Sequence, residues 1–170
     1  MVLAQSEENK EFVDRVYDYF AVGSARSLNS LNIMTREQAD DPRVAEIVQG
    51  ADLIWIGGGS QCSFLEIWRG TKLFKAIEDA AANRVSIGGT SASTAIFGHA
   101  AYINLPWDST NSSFTLHSPT DQRNRVMFQG ADRLPFSALS ADVNSPLHQF
   151  LVDTHFSDGN RMGRLVERQD

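Results

Sequence analysis

Arg84–Val85–Ser86–Ile87–Gly88–Gly89–Thr90–Ser91–Ala92–Ser93–Thr94–Ala95 is the stretch whose reading decides the fold. Val85 to Ile87 is a short apolar run of the kind that forms a buried strand. Two glycines follow, then Ser91 among small residues, then Ala92, Ala95 and Ile96 in a segment able to start a helix. Strand, tight turn, serine and helix together make a nucleophile elbow, in which the turn lifts a hydroxyl above the carboxyl end of a sheet. The helix that follows presents free N–H groups beside that hydroxyl. The glycines fit because the turn needs unusual backbone angles and close strand–helix packing. The same pattern also fits an ordinary βα turn rich in small residues, or a phosphate cradle, and position 93 is Ser where the commonest elbow has Gly.

Working outward, Leu53 to Ile56 is a solid apolar run that breaks into Gly57–Gly58–Gly59, as a central strand ending in a functional loop does. Between the two strands lie a helical stretch from Phe64 to Trp68, interrupted at Gly70, and a second helix capped by Thr71, with Leu73, Phe74, Ile77 and Ala81 on one face. Upstream, Asp41–Pro42 places a cap before a proline at the first helical position. Val44, Ile47 and Val48 are the expected buried stripe of that helix, and Gly50 its end. Leu31 and Ile33 give a weak strand signal, and Phe12, Val16 and Phe20 line one face of an amphipathic helix over residues 9–20. Strands separated by helices, each strand ending in glycines, indicate an α/β domain with a mostly parallel sheet and its site at the strands' carboxyl ends.

Composition narrows the function classes. A chain of 170 residues with 42% hydrophobic and 21% charged residues is expected to form one folded domain. A formal net charge of −6 argues against nucleic acid as the main partner, since phosphate binding needs a basic face. No apolar run approaches membrane-spanning length. The first ten residues do not read as a signal peptide, so the cytoplasm is the favoured compartment. Cys62 is the single cysteine, which excludes an internal disulfide and a cysteine-rich zinc site. No metal or cofactor is expected.

Beyond Phe97, residues 100–119 are polar and read as a long loop, Val126–Met127–Phe128 as a short strand, and residues 149–152 as an apolar strand running into Asp153–Thr154–His155–Phe156. A serine becomes a nucleophile only when a base takes its proton. Of the four histidines, His155 alone stands at the carboxyl end of an expected strand, on the edge where Ser91 should emerge. A histidine so placed is also compatible with a satisfied polar role.

Three segments together resemble the cyanophycinase-like and aspartyl-dipeptidase-like serine peptidases. The family's Gly-Gly-Asp-Gln loop is matched by Gly58–Gly59–Ser60–Gln61, with Ser60 in place of the acid. Its Gly-Thr-Ser-Ala-Gly-Ala elbow is matched by Gly89–Thr90–Ser91–Ala92–Ser93–Thr94, and its Asp-Gln-His-Phe segment with following arginines by Asp153–Thr154–His155–Phe156 and Arg161–Met162–Gly163–Arg164–Leu165. The resemblance runs from about Pro42 to Val166 and implies a three-layer sandwich of the class I glutamine amidotransferase-like, flavodoxin-like kind. It implies Ser91 as nucleophile, His155 as general base, the backbone N–H groups of Gly59 and Ala92 as oxyanion donors, and Gln61, Asp153, Arg161 and Arg164 as substrate-binding residues. A surface ion-pair network is the other reading of the two arginines. The implied substrate is a peptide or isopeptide of aspartyl type. A catalytically silent domain of the same fold that binds peptide or a partner protein is the alternative, whereas Cys62 lies in the glycine loop and not at an elbow, against a cysteine amidotransferase.

Departures from the family pattern set further expectations. Thr154 and Gly159 replace a glutamine and an arginine, so β-aspartyl-arginine specificity does not follow. Ser93 and Thr94 add bulk behind the nucleophile, where a glycine would let helix and strand pack closely. Both ends read as truncated, giving a partial serine peptidase domain over residues 1–170. The opening strand is expected to be missing, which would leave an unpaired sheet edge and favour association, a homodimer included. After His155 the acids are Asp158, Glu167 and Asp170, and the third triad member is expected beyond the end of the chain.

Overall fold

Local signals near Asp41 and Thr71 set two of the helices, and a parallel sheet gathers them. The computed structural model describes residues 2–4, 18, 25–97, 100–102, 126–128, 152–155 and 157, with the backbone alone at residues 2–4, 61, 62, 65, 100–102 and 126–128. In chain order the elements are β1 (Val2–Ala4), β2 (Ser30–Asn32), α1 (Arg36–Ala39), α2 (Pro42–Gln49), β3 (Leu53–Ile56), α3 (Gln61–Trp68), α4 (Lys72–Ala82), β4 (Ser86–Gly89) and α5 (Ala92–Ala95), followed by β5 (Ala100–Tyr102) and β6 (Val126–Phe128). The expected helix over residues 9–20 lies outside the described residues except for Asp18, which is helical.

The main sheet has the order β2-β1-β3-β4, and each of its pairings is parallel. This corrects the expectation of a missing first strand: Val2 to Ala4 pair with β2 on one side and β3 on the other. The unpaired edge inferred from that absence is therefore not formed there. At the carboxyl end, Trp55 stands opposite Gly88 and Ile56 opposite Gly89. A Cβ on Gly88 would come within 2.7 Å of the Trp55 ring, so the pairing needs glycine to seat the indole.

Helix α2 begins as its sequence demands, with the Asp41 carboxylate accepting from the Arg43 N–H at 2.9 Å and Pro42 in the first turn. Its buried row is Ala45 and Val48, whereas Ile47 is 38% exposed, against expectation. Residues 45 and 48 are three apart and share a face, while Ile47 turns toward the amino end of the sheet. There it lines a cleft of about 400 Å³ together with Leu53 and Arg26. In α4 the inward row is Leu73, Ala76, Ile77 and Ala80, with Phe74 and Ala81 only partly buried. The two small alanines allow α2 and α4 to pack closely against each other. Burying a Leu73- or Ile77-sized side chain contributes about 1.5–3 kcal/mol each.

Behind the glycine loop, α3 is anchored through Trp68, which is fully buried and donates its indole N–H to Ile33 O at 3.4 Å. Phe64 packs on it with ring centroids 4.8 Å apart. Residues 100–102, expected within a loop, form β5, paired antiparallel with the expected strand β6. Of the strand expected over residues 149–152 only Val152 is described, and it is not in a strand. Among the described residues no helix is long and apolar enough to cross a membrane.

Candidate active site

Strand β4 runs into Thr90 and Ser91, and α5 starts immediately afterwards. Thr90 N–H donates to Ile56 O at 3.2 Å, which carries the β3–β4 ladder one residue past the end of the strands. Ser91 then adopts φ 56° and ψ −122°, a conformation a non-glycine residue avoids. Such an angle costs about 1–3 kcal/mol and persists only where the surroundings enforce it. The glycine loop after β3 lies directly against the serine: a Cβ on Gly58 would lie 3.1 Å from the Ser91 Cβ. This close approach of Gly58 to the serine goes beyond its place in the expected loop. The run of three glycines was its signal.

The Ser91 side chain makes no hydrogen bond to the start of α5, although it occupies the cap position. Its Oγ lies instead 2.6 Å from His155 Nε2, across 64 positions of sequence. A serine O–H can donate to that nitrogen when the imidazole is neutral and carries its hydrogen on Nδ1. His155 is exposed and has φ 54°, in the left-handed region that histidine enters more readily than most residues. The structure thus brings together the two residues singled out from sequence, and both have backbones turned away from the ordinary strand and helix regions.

The remaining expected site residues fall in three groups. Gly59 is an exposed residue of the loop after β3, and Ala92 is the buried first residue of α5. Gln61 opens α3, and Asp153 is partly buried two residues before His155. Arg161 and Arg164 lie outside the described residues, as do Asp158, Glu167 and Asp170, the acids that follow the histidine. Ser60, which stands where the resembling family has an acid, serves α3: its Oγ accepts from Ser63 N–H at 3.4 Å, and its carbonyl accepts from Phe64 N–H at 3.1 Å. Serine and aspartate are both good helix caps, which explains how the exchange is tolerated. Among the described residues no cluster of three or more histidine, cysteine, aspartate or glutamate side chains is placed to hold a metal ion.

Ser93 and Thr94 correct the expectation of excess bulk. Ser93 is fully buried, and the space for its hydroxyl comes from Gly89, where an added Cβ would collide with the Ser93 Oγ. Close approach of helix and strand is therefore secured by the glycine on the strand side. Thr94 Oγ1 donates to Gly89 O at 2.8 Å and fastens the helix to the last residue of β4.

The model of Peptidase family S51 matches residues 3–112, which include the last two residues of β1, the glycine loop and the whole elbow. The chain belongs to peptidase family S51. It is similar to the cyanophycinase of Geminocystis herdmanii (strain PCC 6308), with 26% identity over 167 residues covering 98% of this chain and 53% of that protein. This S51 chain thus spans about half the length of the curated relative it matches. Its fold is similar to the crystal structure of a peptidase from an acI-B1 Actinobacterium, at a TM-score of 0.51 and 24% identity, covering 58% of this chain and 44% of that one.

Proposed function

We propose that the chain is a serine-type peptidase domain that cleaves a peptide or isopeptide bond through Ser91 and His155. The observation that carries this reading is the 2.6 Å approach of Ser91 Oγ to His155 Nε2 at the carboxyl end of a parallel sheet. In the acylation step Ser91 Oγ bonds to the scissile carbonyl carbon while His155 Nε2 takes the hydroxyl proton. The carbonyl π pair moves onto oxygen, and the N–H groups of Gly59 and Ala92 are the donors assigned to that charge. Collapse of the intermediate breaks the C–N bond, and the imidazolium returns its proton to the leaving amine. Water, deprotonated by the same histidine, then attacks the acyl group; the second collapse releases the acid and restores the Ser91 hydroxyl.

The substrate class we assign is aspartyl-type, as for the cyanophycinase pattern. Asp153 would bind a cationic amine of the substrate, and Arg161 and Arg164 a substrate carboxylate, through charge-assisted hydrogen bonds, with Gln61 also assigned to substrate recognition. The architecture we assign is the three-layer, class I glutamine amidotransferase-like sandwich, supported by parallel strands alternating with helices. The test is to incubate wild-type chain and Ser91→Ala with a β-aspartyl dipeptide library and to follow free amino acids by mass spectrometry. Release by wild type and none by the variant is expected. Equal release by both would overturn the reading, and a folded wild type that binds the dipeptides without cleaving them would favour a silent peptide-binding domain.

A further inference from the structure

We propose that Ser93 is a positioning residue for Ser91: its hydroxyl clamps both peptide groups of Thr90, and so holds the nucleophile's backbone in its strained conformation. The proposal rests on the reading of Ser91 as nucleophile. Ser93 Oγ lies 2.7 Å from Ile56 O and 2.8 Å from Thr90 O, sharing its one proton between them, and accepts from Thr90 N–H at 2.8 Å. The residue is fully buried, so water does not compete for these bonds.

The consequence for Ser91 is geometric. Its φ is rotation about its own N–Cα bond, measured from the Thr90–Ser91 peptide plane. That plane is held through Thr90 O by the Ser93 hydroxyl, with Ser93 N–H on the same oxygen at 3.3 Å. On the other side, the Ser91–Ala92 peptide is held through Ser91 O, which accepts from Ala95 N–H at 3.1 Å. Between these two tied peptides Ser91 stands at φ 56°, and its hydroxyl meets His155. Thr90 is meanwhile tied to the end of β3 through Ile56 O, so the clamp fixes the elbow relative to the loop carrying Gly58 and Gly59. An elbow with glycine at position 93 would lack this hydroxyl altogether. Here Gly89 leaves the space that the hydroxyl fills.

The test compares wild type, Ser93→Ala and Ser93→Gly by two measurements, well below the melting temperature of each. The first is hydrogen exchange at the Thr90 and Ser91 amides, which needs no activity. The second is inactivation by a fluorophosphonate, resolved into its maximal rate and its half-saturating concentration. We expect exchange at Thr90 to accelerate by about tenfold in both variants, with amides of α4 unchanged. The maximal inactivation rate should fall by about tenfold or more at constant half-saturation, since misplacing a reacting atom slows chemistry without weakening capture. A merely structural serine would lower the fraction of chain that reacts, and not the rate of the folded fraction. Wild-type exchange and wild-type inactivation rates in both variants would overturn the proposal. Accelerated exchange in a protein whose Ser91 never reacts would uphold the clamp while contradicting the nucleophile.

Discussion

Helices α4 and α5 begin with the same kind of sequence and in opposite ways. Each follows a glycine, Gly70 or Gly89, and each has a hydroxyl residue at its cap, Thr71 or Ser91. Thr71 is extended, with φ −97° and ψ 172°, and its Oγ1 accepts from Phe74 N–H at 3.4 Å. Ser91 has φ 56° and leaves the helix start without a side-chain bond. A cap uses its hydroxyl to satisfy the helix; the elbow withholds that hydroxyl and aims it at His155. Ser93 and Thr94, in the first turn, instead tie the helix start back to Thr90 and Gly89. A helix of four residues held this way depends on its neighbours, whereas α4 has eleven residues and an apolar row of its own.

Removing the group that the Ser91 hydroxyl meets should have the largest effect. His155→Ala should slow fluorophosphonate labelling of Ser91 by about a thousandfold or more, since triad members act as a unit. Circular dichroism unchanged from wild type would accompany that loss. Labelling at the wild-type rate would show that the contact to His155 is incidental.

The two cap positions should then respond to substitution with opposite signs. Thr71→Ala removes a working cap and should lower stability by about 1 kcal/mol, with labelling unaffected. Ser91→Gly removes a side chain from a backbone angle it resists, and should raise stability by about 1 kcal/mol while abolishing labelling. Thermal unfolding of the two variants in parallel checks both; a drop in both would erase the distinction between the two helix starts.

The smallest effect concerns the cap of α2. The Arg43 side chain, and then its backbone N–H, hold the Asp41 carboxyl at about 2, below its ordinary 3.8. The folded state thus favours the charged form, so the contribution is present above the ordinary value and is lost as pH falls through about 2. Asp41→Asn should lower stability slightly at neutrality, where the charged pair contributes, and flatten the curve between about pH 4 and pH 2 so that variant and wild type converge at the acid end. An unaltered acid limb would mean that the Asp41–Arg43 pair is without weight in solution.

Much of this was legible in sequence because the signals were local. Asp41–Pro42 and Thr71 announce their helices within four residues, and Leu53 to Ile56 followed by glycines announces a strand facing a loop. The elbow was legible for the same reason. What could not be read depended on partners far away along the chain. Three residues, Val2 to Ala4, are too few to show a period, and their strand exists through its pairing on both sides. Ile47 has the chemistry of a core residue and faces a cleft because of where the sheet ends. Ser93 looked like an obstruction because its acceptor, Ile56 O, lies 37 positions away.

The central claim is that the Ser91 hydroxyl, freed from capping and paired with His155, is the reactive group of this chain. Fluorophosphonate treatment of the wild-type chain and of Ser91→Ala, followed by intact mass and peptide mapping, tests it most directly. One adduct per wild-type chain, mapped to Ser91 and absent from the variant, is the predicted result. A folded wild-type chain that takes up no adduct, or an adduct that persists in Ser91→Ala, would contradict it.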